Sequence, residues 1–125
     1  MNSFRIAIFS VAISLWLASG FIAIAEITLE QRKFFENKIR PVLAKECYEC
    51  HASGAKKIGG KLLLDTTAGL EKGGESGSPM VAGKPENSLI VHALKWLDDL
   101  EMPPDEPLSE QVVADFEKWI LMGAP

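Results

Sequence analysis

Apolar positions spaced three and four residues apart predict a helix that begins just after residue 28. Thr28 and Gln31 have the spacing of a capping box, in which the two residues satisfy each other's free backbone amides. The apolar stripe consists of Phe34, Phe35, Ile39, Val42 and Leu43. Pro41 lies within this stretch. Because proline cannot donate an intrahelical hydrogen bond, we expect a kink or a restart there, with Pro41 in the first turn of the next segment.

Three further helices are predicted downstream, between loops rich in glycine and proline. The first is short, with Asp65 as its N-cap, and ends near residues 73–74. The second spans 85–100 with Ser88 as a cap, and its apolar face consists of Leu89, Ile90, Ala93, Leu94, Trp96 and Leu97.

The last predicted helix begins at Ser109 and ends before Gly123. Its apolar face consists of Val112, Val113, Phe116, Trp119 and Ile120. This stripe is as wide as that of the first helix, so we expect these two helices to pack against each other. The sequence therefore predicts an all-α fold.

The first 25 residues differ in composition from the rest of the chain. Arg5 is their only charged residue, and it precedes an apolar run that ends in Ala23-Ile24-Ala25. A basic residue, an apolar core and a small-x-small site are typical of a secretory signal peptide, so the predicted division is a signal peptide at 1–25 and one domain at 26–125. The alternative is an uncleaved anchor, because the run approaches the ~20 residues that cross a bilayer.

The charge balance limits the class of partner. Since residues 1–25 contribute only Arg5, residues 26–125 have 12 basic and 17 acidic side chains and a net charge of −5. Nucleic-acid binding requires a basic face, so we expect no nucleic-acid partner. Membrane contact is expected only if the N-terminal segment is retained.

The motif with the clearest chemistry is Cys47-Tyr48-Glu49-Cys50-His51. A C-x-x-C-H sequence is typical of covalent haem attachment, in which two thiols form thioethers with the porphyrin and the histidine binds the iron. On a helical turn Cys47 and Cys50 share a face, and His51 points toward the same macrocycle. Three alternatives exist for the cysteine pair. A thioredoxin-like pair needs a sheet, a zinc site needs two more ligands, and a disulfide leaves His51 unused.

Met102 is the candidate for a second axial ligand of the iron. It begins a stretch that contains Pro103, Pro104 and Pro107, and a stiff loop holds a weak thioether ligand at little cost in entropy. From its own sequence Met102 is equally compatible with a core position. Met80 and Met122 are further candidate sulfur ligands, and His92 would give a bis-histidine site, although it lies off the main apolar stripe.

The order of these features resembles class I cytochromes c, and more closely the small cytochrome c domain of planctomycete proteins. The resemblance is carried by residues 38–43, 64–66, 73–77, 83–89 and 102–104 together with the C-x-x-C-H motif. It implies a small helical class I cytochrome c fold around one covalent haem c. Cys47 and Cys50 are then the attachment points, His51 the proximal iron ligand and Met102 the distal one.

The resemblance also implies a function, namely single-electron transfer by a secreted monohaem cytochrome that is not itself an enzyme. Its partners would be redox proteins in the periplasm or at the outer face of the inner membrane. The alternatives are a haem-bearing sensor with an exchangeable distal ligand, or an interaction module of a larger exported complex. The predicted contact surface of such a module is acidic and consists of Asp98, Asp99, Glu101, Asp105 and Glu106.

Overall fold

The computed structural model describes residues 26–125. Its helices are α1 (Leu29–Phe34), α2 (Arg40–Val42), α3 (Tyr48–His51), α4 (Thr67–Lys72), α5 (Leu89–Leu94) and α6 (Glu110–Leu121). Short 3₁₀ turns occupy Gly59–Lys61 and Pro85–Asn87. No β-strand occurs within residues 26–125. The all-α prediction is therefore confirmed for this part of the chain.

Residues 29–51 form one continuous helical rod in which π-helical hydrogen bonds interrupt the α-helical pattern at two places. The π-helical stretches Phe35–Ile39 and Leu43–Cys47 join α1, α2 and α3. Pro41 lies in the first turn of α2, as predicted, and the restart takes the form of a wider turn before it rather than a break. The predicted capping box is present, with Thr28 Oγ1 accepting from the Gln31 amide at 3.1 Å.

The N-terminal rod packs against α6, and the core lies between them. The Phe35 and Trp119 rings have centroids 5.4 Å apart, and Ile39 and Phe116 have no exposed surface. Burial of each such side chain contributes about 1.5–3 kcal/mol. The predicted pairing of the first and last helices is confirmed.

The N-cap predicted for the short helix α4 is wrong by one residue. Thr66 caps the helix, because its Oγ1 accepts from the Gly69 amide at 3.0 Å. Asp65 instead turns to the loop before it, where its Oδ2 accepts from the Ser53 amide at 2.9 Å and from Ser53 Oγ at 2.6 Å. Both residue types cap helices well, so sequence does not decide between neighbours. The predicted end at Gly73 is confirmed.

The helix predicted over 85–100 is shorter than expected. The 3₁₀ turn Pro85–Asn87 precedes α5, which ends at Leu94. Trp96 has φ +55°, and its amide donates to the Ala93 carbonyl at 3.1 Å while the Leu97 amide donates to the His92 carbonyl at 2.9 Å. These paired bonds form a Schellman motif, which usually carries glycine at the left-handed position. Because tryptophan is not a residue that usually ends helices, the sequence does not indicate that α5 ends here.

Ser88 stands before α5 at the predicted cap position, but its side chain does not cap the helix. The hydroxyl is fully buried, donates to the Lys84 carbonyl at 2.9 Å and accepts from the Val81 amide at 2.9 Å. Ser88 therefore fastens the preceding loop to the start of α5.

The apolar face predicted for this helix divides between two surroundings. Leu94 is buried in the core, together with Val91, which the predicted face omitted. Leu89, Ile90, Ala93 and Leu94 itself line a cavity, and Ile90 also packs against the core. Leu97 was predicted to be buried and is 46% exposed, because the chain has already left the helix at Trp96.

Within residues 26–125, no helix combines the length and the apolar character that crossing a membrane requires. The predicted signal peptide or anchor, residues 1–25, lies outside the described residues.

Candidate functional site

A cavity of about 350 Å³ opens beside the end of the N-terminal rod. Its walls come from α3, the glycine-containing loops 59–64 and 74–79, one face of α5, the loop 100–104 and Phe116 of α6. Apolar surface predominates in these walls. Its size lies within the range of pockets that hold small molecules and cofactors.

The three predicted attachment residues all line this cavity. Cys47 directly precedes α3, and Cys50 and His51 lie on its single turn. Cys47 and His51 are partly buried and Cys50 is exposed. The structure therefore brings both thiols and the imidazole to one wall, as the i, i+3, i+4 spacing predicts.

The ring of His51 is oriented by backbone groups from outside the motif. Its Nδ1 lies 3.3 Å from the Leu62 carbonyl oxygen. Since a carbonyl only accepts, Nδ1 of the neutral ring carries the proton and Nε2 keeps its lone pair. A side chain on Gly59 would place a Cβ 3.1 Å from His51 Cε1, so glycine backs the ring closely. Such support is typical of a histidine that binds a metal through its other nitrogen.

The thiol of Cys47 is held in its uncharged form. Burial raises the pKa of Cys47 to about 11, and the nearby Glu46 carboxylate adds to the increase. A thiol–disulfide catalyst requires a lowered pKa, because the thiolate is the attacking species. This environment disfavours the thioredoxin-like alternative.

Met102 lies at the mouth of the same cavity. Its side chain is 40% exposed, and its amide donates to the Ala93 carbonyl of α5 at 3.1 Å. Pro103 and Pro104 continue the cavity wall beside it. The stiff segment therefore carries the sulfur to the wall formed by α5.

The other candidate ligands lie elsewhere. Met80 and Met122 pack against the hydrophobic core and do not line the cavity. His92 does not line it either, and both of its ring nitrogens have partners, Asp98 Oδ2 at 2.7 Å and the Glu86 carbonyl at 2.9 Å. Among residues 26–125, Met102 is the one methionine at the cavity.

The sequence did not indicate that glycine loops form part of the cavity wall. The Glu75 amide donates to the Gly60 carbonyl at 2.8 Å, which joins the two loops. A Cβ on Gly74 would lie 2.7 Å from that same carbonyl oxygen, so only glycine permits the approach. The signal for these loops in the sequence is the pair of clusters Gly59-Gly60 and Gly73-Gly74. Glycine clusters indicate loops, but they do not reveal that two loops meet.

The described residues also bear on the remaining alternatives for the cysteine pair. Residues 26–125 contain no group of three or more His, Cys, Asp or Glu side chains arranged to hold a metal ion, which a zinc site needs. Cys47 and Cys50 are not joined in a disulfide.

Comparison with known proteins gives one match. Residues 47–106 match the model of the family described as Planctomycete cytochrome C. Neither the curated proteins nor the solved structures gave a match. The matched range begins at Cys47 and includes Cys50, His51 and Met102. The predicted resemblance to a planctomycete-type cytochrome c domain is therefore confirmed for residues 47–106.

Proposed function

We propose that this protein is an exported monohaem c-type cytochrome that carries single electrons, with His51 and Met102 as the axial ligands. The observation that carries the proposal is that Cys47, Cys50, His51 and Met102 all line one predominantly apolar cavity. The match of residues 47–106 to a cytochrome c family supports haem binding and electron transfer in general.

The side chains at the cavity match what haem c requires. Two thiols at C-x-x-C spacing suit thioether formation, and an imidazole with a free Nε2 and a thioether suit the two axial positions. When bound, haem c supplies an iron that alternates between the ferrous and ferric states. A histidine–methionine pair favours the reduced metal more than two histidines do.

In this proposal the chain contributes position and surroundings rather than proton chemistry. The Leu62 carbonyl holds the ring of His51, and the Ala93 carbonyl anchors the backbone of Met102. Ile90 and Phe116 contribute apolar wall that limits water around the cofactor. No general acid or base is needed, because an electron enters and leaves without bond cleavage.

We also propose that residues 1–25 direct export and that partner redox proteins meet the molecule at the cavity mouth. Thioether attachment outside the cytoplasm fits an exported chain, since an oxidising compartment would otherwise link Cys47 and Cys50. Exposure of Cys50 and Met102 at the cavity supports an accessible cofactor edge.

A spectroelectrochemical titration tests this function. The full chain is expressed with a cytochrome c maturation system, and its haem content is determined as the pyridine haemochrome. The proposal predicts one c-type haem per chain and a single one-electron wave. Purified protein without haem, or haem without a reversible wave, would contradict it.

One observation favours a second candidate, a sensor with an exchangeable distal ligand. Met102 is carried by the loop between α5 and α6, so the distal position can open without movement of a helix. Rapid carbon monoxide binding by the reduced protein, at a rate independent of Met102, would support the sensor. Slow binding that becomes fast in Met102→Ala would support the electron carrier.

A further inference from the structure

We infer that His92 is a positioning residue for Met102, because its ring fastens the loop 95–102 to the segment formed by Pro85–Asn87 and α5. This inference rests on the proposed function, in which Met102 is the distal ligand. His92 neither lines the cavity nor contacts the cofactor in this account, so it acts through the loop.

The two hydrogen bonds of the ring require it to donate twice. Nδ1 lies 2.7 Å from Asp98 Oδ2, and Nε2 lies 2.9 Å from the Glu86 carbonyl oxygen. A carboxylate and a carbonyl both only accept, so the doubly protonated imidazolium satisfies both contacts at once. In that state His92 ties the loop to the 3₁₀ turn that precedes α5.

The loop leaves α5 and returns to it through backbone bonds at its two ends. The Leu97 amide donates to the His92 carbonyl at 2.9 Å, and the Met102 amide donates to the Ala93 carbonyl at 3.1 Å. Between them, the side-chain contact of Asp98 with His92 is the attachment near the middle of the loop.

The backbone of this loop adopts conformations that need support. Trp96, Asp98 and Asp99 have φ of +55°, +56° and +59°. Side chains disfavour this left-handed region, although aspartate tolerates it better than most residues. Such conformations persist where surrounding contacts hold them. Asp98 forms the contact with His92, and Asp99 follows it directly.

Met102 depends on this support because its own packing is limited. Its side chain lines the cavity and is not among those that pack against the hydrophobic core, so the core does not restrict the sulfur. The position of the sulfur is therefore set mainly by the backbone that carries it. Loosening the loop at Asp98 is expected to increase the rate at which Met102 leaves the iron.

The attachment is pH-dependent, and the sign follows from the groups that face the ring. The Glu86 carbonyl and then Asp98 raise the pKa of His92, while the ammonium of Lys95 opposes them. Because the folded pKa is raised, the attachment is complete below about pH 6.5 and is lost as pH rises through the folded value. After deprotonation the ring keeps a single N–H, so it can no longer donate to both Asp98 and the Glu86 carbonyl.

Two measurements on the haem-loaded full chain test the inference. The first is the rate at which imidazole binds the ferric protein, since binding requires Met102 to leave; it is expressed per concentration of neutral imidazole, because the free ligand itself titrates in this pH range. The second is the protection of the Met102 amide against hydrogen exchange, taken relative to the intrinsic exchange rate at the same pH, which reports the loop whether or not Met102 binds iron. Both are followed between about pH 6 and about pH 8 in the wild type, His92→Gln, Asp98→Asn and the exposed control Lys57→Gln.

In the wild type, the corrected imidazole rate should rise and the protection of the Met102 amide should fall, each roughly three- to tenfold, as pH passes through the folded pKa of His92. In His92→Gln the corrected imidazole rate should already be high and the protection already low at about pH 6, and both should change little with pH. Asp98→Asn removes the carboxylate with minimal change of shape and should act in the same direction, which keeps the test valid if His92→Gln folds poorly. Lys57→Gln should behave as the wild type.

Failure of the inference and failure of the proposed function give different results. Unchanged exchange and imidazole rates in His92→Gln and Asp98→Asn, with Met102→Ala accelerating imidazole binding, would overturn the role of His92 and leave the His/Met assignment standing. An imidazole rate unaffected by Met102→Ala would overturn the ligand assignment. In that case, hydrogen exchange of the Met102 amide alone tests the attachment. Exchange in His92→Gln that equals the wild-type exchange would contradict it.

Discussion

The imidazole of His51 and the carbonyl of Leu62 are joined by a hydrogen bond of 3.3 Å from Nδ1 to oxygen. The two residues lie on either side of the loop that contains Gly59, whose missing side chain leaves room for the ring. The orientation of the proposed iron ligand therefore depends on a loop that carries no ligand itself. Loss of a supporting group of this kind typically lowers metal affinity by about tenfold or more.

Gly59→Ala tests the close contact behind His51. The new Cβ would lie 3.1 Å from Cε1, so the ring must shift by a few tenths of an ångström. We expect a loss of about 1 kcal/mol in the free energy of unfolding and an altered ferric electron paramagnetic resonance spectrum. The control is Gly54→Ala, where nothing lies within 4 Å of the new Cβ. Equal spectra for both variants would contradict the contact.

Met102→Ala tests the distal ligand. Loss of the thioether should lower the reduction potential by on the order of 0.1 V and open the sixth position to external ligands. The matched control is Met80→Ala, since Met80 packs against the core and does not line the cavity. That variant should lose stability with the potential unchanged. A reversed pattern would transfer the ligand role to Met80.

Phe116→Ala tests whether one side chain contributes both to the hydrophobic core and to the cavity wall. Phe116 has no exposed surface, yet it forms part of the cavity wall. Its truncation should cost about 3–5 kcal/mol of unfolding free energy in urea denaturation and admit water beside the cofactor. Leu121→Ala on the same helix, where the side chain is 62% exposed, should change stability by no more than about 0.5 kcal/mol. Similar losses in both would disagree with this packing.

The pair Asp65 and Ser53 predicts acid sensitivity. The hydroxyl and amide of Ser53 lower the pKa of Asp65, so the unfolded chain takes up the proton first. The contribution of the pair is complete above about pH 4 and is lost as pH falls through the lowered folded pKa. The stability difference between the wild type and Ser53→Ala should therefore shrink at acid pH.

Urea unfolding at about pH 7, 4 and 3 measures that difference. Ser78→Ala is the control, because Ser78 Oγ donates to the Met80 carbonyl, which does not titrate. Its effect should be the same at each pH. A Ser53→Ala effect that is equally independent of pH would contradict the role of Asp65.

Local features of the fold were predictable, because the signals lie within one turn of chain. The capping box at Thr28, the cap at Ser109 and the apolar stripes of the first and last helices all follow from such signals. The end of α5 was not predictable, since Trp96 takes a left-handed conformation that sequence associates with glycine. The choice between Asp65 and Thr66 as a cap depended on Ser53, twelve residues before Asp65.

For the candidate site, sequence indicated four side chains that lie at one cavity, but not the backbone groups that hold them. Cys47, Cys50, His51 and Met102 meet at one cavity as predicted. The carbonyl of Leu62 gave no signal, because every residue has one. Periodicity likewise predicted that Ile90 turns away from water without revealing that it also lines a cavity.

The central claim is that one haem is attached through Cys47 and Cys50. The most direct test is the intact mass of the exported, matured chain under denaturing conditions, with an alkylating reagent present. The account predicts a mass increase of one haem and no alkylation of either cysteine. A mass equal to the polypeptide with both thiols alkylated would contradict it.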